Sequence, residues 1–187
     1  MKNFDRFIPA EKDIVYLPAE DPIISGELCA FTGHRPDKLG FTGETDTDCL
    51  RLKAELHEAI KYEMGKGCNA FVTGMAPGVD TWAAEEVLLL KTHFPELKLY
   101  AAVPYKKQFE RLYGWQKERY FLILSKCEKV FLISEEYDRR SFHIRNSFMV
   151  RNATRLISVF NGDRGGTANT VKAAAKKGIE IYNISIK

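Results

Sequence analysis

The residues best suited to chemistry in this chain lie in glycine-rich turns that follow short apolar runs. The run Arg155-Leu156-Ile157-Ser158-Val159-Phe160 stops at Asn161-Gly162-Asp163-Arg164-Gly165-Gly166-Thr167, and a helix-like stretch from Thr167 to Lys177 follows at once. A strand, a glycine turn and a helix start, in that order, leave backbone N–H groups without intrahelical acceptors at the positive end of a helix dipole. Such a place attracts phosphate without a charged side chain. Gly165 and Gly166 permit close backbone approach to an anion, and Thr167 adds a hydroxyl at the helix start. The turn is expected to form half of a nucleotide pocket.

A second glycine turn, Thr73-Gly74-Met75-Ala76-Pro77-Gly78-Val79-Asp80, also leads from an apolar run into a helical pattern. Gly74, Met75, Ala76 and Gly78 would form a second cradle. Asp80 would repel a phosphate beside it, so its carboxylate is expected on a ribose hydroxyl, with helix capping as the alternative. A third loop, Thr32-Gly33-His34-Arg35-Pro36, offers Arg35 for bidentate phosphate contact and His34 as a hydrogen-bonding partner for ribose or phosphate. Trp82 suits core packing better than base stacking, and Glu85 suits an exposed position.

These turns must be carried by regular elements, and the chain supplies them. Leu28–Phe31, Asn69–Val72, Leu97–Val103, Lys129–Ser134, the run from Arg155 and Ile179–Ile186 read as strands. Between them, apolar residues recur at spacings of three and four. Leu52, Leu56, Ala59, Ile60 and Met64 mark one helix, and Val79, Ala83, Val87 and Leu90 mark the next. A long helix is expected over Gln108 to Ser125, with Phe109, Leu112, Tyr113, Tyr120 and Ile123 facing inward, and a short one over Ser141 to Asn152. Strands alternating with helices predict an α/β, Rossmann-like three-layer sandwich with a mostly parallel central sheet. Right-handed crossovers then bring every strand-to-helix loop to one edge, where ligands of such sheets bind. Residues 1–26, with Pro9, Pro18 and Pro22, read as an N-terminal extension in which Ile14–Leu17 lies extended against a body at 27–187.

The chain has 187 residues, 45% hydrophobic and 28% charged, with a formal net charge of +3, which is the profile of a soluble globular domain. So small a charge argues against a nucleic-acid partner, although Lys172, Lys176 and Lys177 form a modest basic face on the last helix. No window reaches the roughly 18 uninterrupted apolar residues of a membrane helix. Met1–Arg6 lacks an apolar signal core, and Cys29, Cys49, Cys68 and Cys127 show no CxxC spacing. A cytoplasmic protein with reduced thiols and no metal site is therefore expected.

Taken together, the loops resemble the SLOG superfamily, the Rossmann-like group that includes LOG (lysine-decarboxylase-like) proteins and the DNA-processing protein DprA, and within it the YpsA-like family. Phe31-Thr32-Gly33-His34-Arg35-Pro36 looks like that family's TGHR-type opening. Gly74 to Glu85 is similar to its glycine-then-GV(D/E)xWAAE segment. Arg145-Asn146-Ser147-Phe148-Met149, followed by a strand and Gly165-Gly166-Thr167, resembles the RKxxM…PGGxGTxxE signature of LOG enzymes. The resemblance implies a nucleotide-binding fold over 27–187, and it makes Arg145 a second phosphate ligand. Asn146 stands in place of the signature's lysine and would read a base or sugar, or cap a turn. The signature's glutamate falls at Thr170, which cannot serve as a carboxylate acid or base.

The leading expectation is therefore a protein that binds or senses a nucleotide-derived ligand, ADP-ribose-like or a mononucleotide. No cofactor is expected to be required. An N-glycosidic hydrolase would need a carboxylate from Asp80, Glu85 or Glu135-Glu136-Tyr137-Asp138. Single-stranded DNA binding, by analogy with DprA, is the third class. Tyr105, Tyr113 and Trp115, read as exposed aromatics, would suit a homodimer or partner surface.

Overall fold

The structure, a computed structural model, describes residues 13–17 and 26–186. Its strands are β1 (Asp13–Tyr16), β2 (Leu28–Gly33), β3 (Ala70–Thr73), β4 (Lys98–Val103), β5 (Lys129–Leu132), β6 (Arg155–Val159) and β7 (Glu180–Ile184). Its helices are α1 (Thr47–Gly65), α2 (Val79–Lys91), α3 (Trp115–Lys126), α4 (Ser141–Asn152) and α5 (Gly166–Lys177). The strands join in one sheet, in the order β1-β5-β4-β3-β2-β6-β7. Every neighbouring pair is parallel, so the sheet is wholly parallel rather than mostly so.

Alternation along the strands builds the three layers. Cys29 and Phe31 of β2 pack with the apolar faces of α1, α2 and α3, while Leu28 and Ala30 pack with α4 and α5 on the other side. Both faces of the sheet are thus covered, as a parallel sheet requires. Trp82 lies in the first of these cores, 1% exposed, as its position on α2 suggested.

From β2 the chain steps outward through β3 and β4 to β5. It then crosses back to lay β6 on the free side of β2, with Gly33 opposite Val159. The strand order reverses at β2/β6, which puts the topological switch point between the exits of those two strands. The starts of α2 and α5 both press on the end of β2 there. A Cβ on Gly33 would stand 2.5 Å from the Val79 side chain, and the Thr167 hydroxyl donates to the Gly33 carbonyl at 2.9 Å. Gly33 is needed because no side chain fits between the sheet and α2.

Two expectations change. The helix expected over Gln108–Ser125 is two pieces, a one-turn 3₁₀ helix at Gln108–Arg111 and α3 from Trp115. Leu112 is extended and Gly114 takes φ 49°, so the chain turns between them, and Tyr113 is 79% exposed instead of facing inward. Tyr105, read as exposed, is 2% exposed, because it follows β4 directly into the core at the sheet edge. Within the N-terminal segment, β1 pairs with β5 as an edge strand, while Pro9, Pro18 and Pro22 lie outside the described residues.

Replacing Gly33 with alanine should push α2 off the sheet. The unfolding free energy should fall by about 1–3 kcal/mol, the usual cost of overpacking, read as a lower urea midpoint at unchanged m-value.

Candidate functional site

The β3–α2 loop is held from within. Asp80, 7% exposed, turns its carboxylate back under the loop, where the amide of Ala76 donates to it at 3.3 Å and that of Gly74 also points at it. The Met75 amide donates to the Thr73 hydroxyl at 3.2 Å, and that hydroxyl donates to the Asp80 carbonyl at 2.8 Å. Arg145, 6% exposed on α4, places Nη1 between the Asp80 carboxylate (3.3 Å) and the Gly74 carbonyl. Gln108 donates to the Met75 carbonyl at 2.9 Å, and Thr81 donates to the Ala76 carbonyl at 2.8 Å. These ties hold Met75 at φ 56°, a left-handed conformation uncommon for a residue other than glycine. Burial pushes the Asp80 carboxyl above its usual range, and the Arg145 and Arg35 guanidiniums and the loop amides pull it back.

This arrangement corrects two assignments. The amides of Gly74, Met75 and Ala76, read as a phosphate cradle, already have acceptors, two of them aimed at the chain's own carboxylate. Asp80 and Arg145, read as ribose and phosphate ligands, are each other's partners. Helix capping does not describe Asp80 either, because its carboxylate serves the loop before α2. The sequence could not reveal this, since Asp80 and Arg145 are 65 positions apart.

The turn after β6 is different. Gly165 O accepts the first bond of α5, from the Asn169 amide at 3.1 Å, so the amides ahead of Asn169 have no intrahelical acceptor. Gly165 and Gly166 are exposed, with Gly165 at φ 152°. The turn is fastened to the exit of β2 by His34, 4% exposed, whose Nε2 lies 2.8 Å from Asn161 Oδ1. That oxygen also accepts the Asp163 amide at 3.1 Å, so the imidazole donates from Nε2. His34 is therefore buried with its Nε2 bonded to the turn, and Thr32 is likewise buried in β2. Arg35 is exposed and makes no side-chain hydrogen bond among the described residues. Lys38, which the sequence did not single out, brings Nζ within 3.8 Å of where a Cβ on Gly165 would stand.

The two glycine turns share a rim but not a hollow. Gly78, at φ 93°, packs against the ring of Pro36, while Gly165 adjoins Lys38 at the other end of the same one-turn helix, Pro36–Lys38. Gly165 and Gly166 open into a groove of about 410 Å³ between α4 and α5, bordered by Phe142, Asn146, Asn169 and Thr170. Gly78 opens into a smaller cleft of about 40 Å³ with Pro36, Met75, Arg119 and Tyr120. In the groove the two departures from the LOG signature meet. Asn146 Nδ2 donates to the Thr170 hydroxyl at 3.0 Å, and that hydroxyl donates to Gly166 O at 2.9 Å.

Of the other candidate carboxylates, Glu136 is exposed and the rest are engaged elsewhere. Glu85 and Glu44 clamp Arg119, Glu135 pairs with Lys106 at 3.8 Å, and Asp138 pairs with Arg140 at 2.9 Å. Lys177, read as part of a basic face, donates to the carbonyls of Val150, Arg151 and Ala153 and so closes the C-terminal end of α4. Among the described residues no group of three histidine, cysteine or acidic side chains could hold a metal ion, and no helix is long and apolar enough to cross a membrane. The four cysteines are buried free thiols.

Residues 29–187 match the YspA SLOG family, YpsA, and the chain belongs to that family. A UPF0398 protein of Bacillus cereus strain B4264 is 28% identical over 159 residues, covering 84% of this chain and 86% of the relative. A UPF0398 protein of Bacillus thuringiensis strain Al Hakam is 28% identical over 162 residues, with the same coverage. Among solved structures, DNA processing protein A (DprA) of Streptococcus pneumoniae superimposes with a TM-score of 0.58 at 18% identity, covering 84% of this chain and 50% of that one. DprA of Helicobacter pylori, solved for its single-stranded DNA binding mode, gives 0.57 at 16% identity, covering 84% and 64%. The chain thus spans half to about two-thirds of these neighbours, and the likeness shows the fold.

Two outcomes follow from this geometry. Asp80→Asn should leave the Arg145 charge buried without its counter-ion and lower the unfolding free energy by about 3–5 kcal/mol in urea titration. Adding Arg145→Met should cost less than the sum of the single changes. Glu44, held at about 2 by Arg119 and Lys53 against the pull of burial, ionises more readily folded than unfolded. It therefore adds stability above its ordinary value of 4.5, and that stability is lost as pH falls towards 2. Because the group is partly exposed, solvent screening limits the effect to about 1–2 kcal/mol. Glu44→Gln should flatten that part of the stability–pH curve by this amount.

Proposed function

We propose that this YspA SLOG family member binds a nucleotide-derived ligand, with the phosphate at the first turn of α5 and the remainder along the α4–α5 groove. One contrast carries the reading. The amides that open α5 face an accessible groove, whereas those of the β3–α2 loop are already taken by Asp80 and Thr73. The groove's volume, about 410 Å³, lies within the range of small-molecule sites, and Lys38 adds a positive charge at its phosphate end. Asn146 and Asn169 offer neutral donors and acceptors for a sugar or base edge.

Binding is favoured over N-glycosidic hydrolysis. Hydrolysis needs a carboxylate placed to act as acid or base beside the ribose. Here Thr170, bonded to Asn146, stands where the LOG signature has glutamate, and Asp80, Glu85, Glu135 and Asp138 are ion-paired. A second reading, single-stranded DNA binding, is favoured by the likeness to the Helicobacter pylori protein and by exposed Tyr113 and Trp115 near the same edge. A gel shift at two salt concentrations separates the readings, because a DNA complex held by phosphates weakens steeply as salt rises.

Calorimetry against nucleoside monophosphates and ADP-ribose tests the leading reading, with dissociation constants at or below about a millimolar expected for at least one. Asn169→Asp puts a negative charge at the start of α5 on an exposed residue of the groove. It should weaken that binding about tenfold or more while leaving the melting temperature unchanged or slightly raised, since an acidic residue suits a helix N-terminus. Absence of binding by every nucleotide tried, or full affinity in Asn169→Asp, removes the assignment.

A further inference from the structure

The groove between α4 and α5 has two unlike walls. Gly165, Gly166, Asn169 and Thr170 form one, and Arg139, Phe142, His143 and Asn146 form the other. Both helices follow strands of a parallel sheet, so both begin at its carboxyl edge. Helical spacing then sets the levels. Arg139 and His143 border the mouth with Gly165 and Gly166, and Asn146 and Thr170 lie one turn further in. The bond from Asn146 to Thr170, 3.0 Å long, crosses the groove at that second level and ties the walls together below the mouth.

The mouth is positive from more than one side. Among the described residues that line the groove, none is acidic. Arg139 and His143 are exposed, and among the described residues neither side chain makes a hydrogen bond or an ion pair. Lys38 brings Nζ within 3.8 Å of where a Cβ on Gly165 would stand. The acids nearest in sequence are committed: Asp138 pairs with Arg140 at 2.9 Å, and Asp163 accepts from Asn161 at 3.0 Å. An anion seated on the α5 amides is therefore met by Lys38 beside the turn and by Arg139 and His143 from the facing wall.

Resting on the nucleotide reading above, we propose that Arg139, assisted by His143, sets the class of phosphate the groove accepts: a terminal phosphate monoester and not a diester. A monoester presents three free oxygens and roughly 1.5–2 negative charges. The α5 amides and Lys38 hold its oxygens on one side, and the remaining oxygen faces the Arg139 guanidinium and the ring N–H of His143. A diester has used that oxygen in its second ester link and leaves Arg139 without an acceptor. The tie between Asn146 and Thr170 works in the same sense, because a chain of diesters cannot run on through the groove. The same choice ranks a mononucleotide above ADP-ribose, whose phosphates each lack the third free oxygen.

The test is calorimetry with nucleoside 5′-monophosphates, their 5′-phosphate methyl esters and ADP-ribose. It is run on the full chain, on Arg139→Gln, and on Lys172→Gln, which removes an exposed cation of α5 outside the groove and so controls for net charge. The parent should bind a monophosphate about tenfold or more tighter than its methyl ester or ADP-ribose, the scale of one charge-assisted hydrogen bond. Arg139→Gln should weaken the monophosphate by that factor and leave the methyl ester within about twofold. The preference then disappears while the melting temperature holds, as expected for an exposed substitution. Lys172→Gln should keep the preference. Equal binding of monophosphate and methyl ester by the parent, or a loss in Arg139→Gln shared by both, overturns the inference and leaves the nucleotide reading in place. Tighter binding of ADP-ribose than of any monophosphate overturns it in the same way. Failure of every one of these ligands to bind the parent removes the nucleotide reading, and this inference with it.

Discussion

An anion supplied by the protein itself organises the carboxyl edge of this sheet. The Asp80 carboxylate lies under the β3–α2 loop, faces backbone amides that a bound phosphate would otherwise use, and is balanced by Arg145 from α4 on the opposite face of the sheet. A buried pair of this kind gains little over a well-packed apolar pair, but leaving one member alone is costly. What it gives here is placement. It fixes the path of the loop, lets Met75 persist in a left-handed conformation, and joins the two helical layers across the end of β3.

With that loop closed, the opening left at the switch point is the turn after β6. Its position is set by contacts to the end of β2: Thr167 on the Gly33 carbonyl, His34 on Asn161, and Val79 against Gly33 from the other face. The turn is therefore carried by an interior strand of the sheet and not by a free loop. A site built on such a frame needs little ordering when a ligand arrives, which keeps the entropic cost of binding low.

Much of this could be read in the sequence. The apolar spacing of Leu52, Leu56, Ala59 and Ile60, the glycines that follow the runs ending at Phe31, Val72 and Phe160, and the alternation of strands with helices gave the three layers and the edge where the loops meet. Two kinds of feature stayed hidden. One is long-range pairing: Asp80 with Arg145, His34 with Asn161, and Asn146 with Thr170 lie far apart in the chain, and no local pattern announces them. The other is local geometry that a helical spacing conceals. Phe109, Leu112, Tyr120 and Ile123 fit one apolar face, yet Gly114 breaks the helix and turns Tyr113 outward. Tyr105 reads as an exposed loop aromatic until the register of β4 carries it into the core.

The bond between Asn146 and Thr170 bears on how such a chain can change over time. Position 170 is almost fully enclosed, and among the described residues its one side-chain partner by hydrogen bond is a neutral amide. A carboxylate arriving there alone would sit enclosed without a counter-charge, and a lysine arriving alone at 146 would face a hydroxyl that offers it no charge. Each single step is disfavoured on physical grounds, and only the two together restore a balanced pair. The neutral bond thus couples the two positions, so that a carboxylate at 170 calls for a cation at 146.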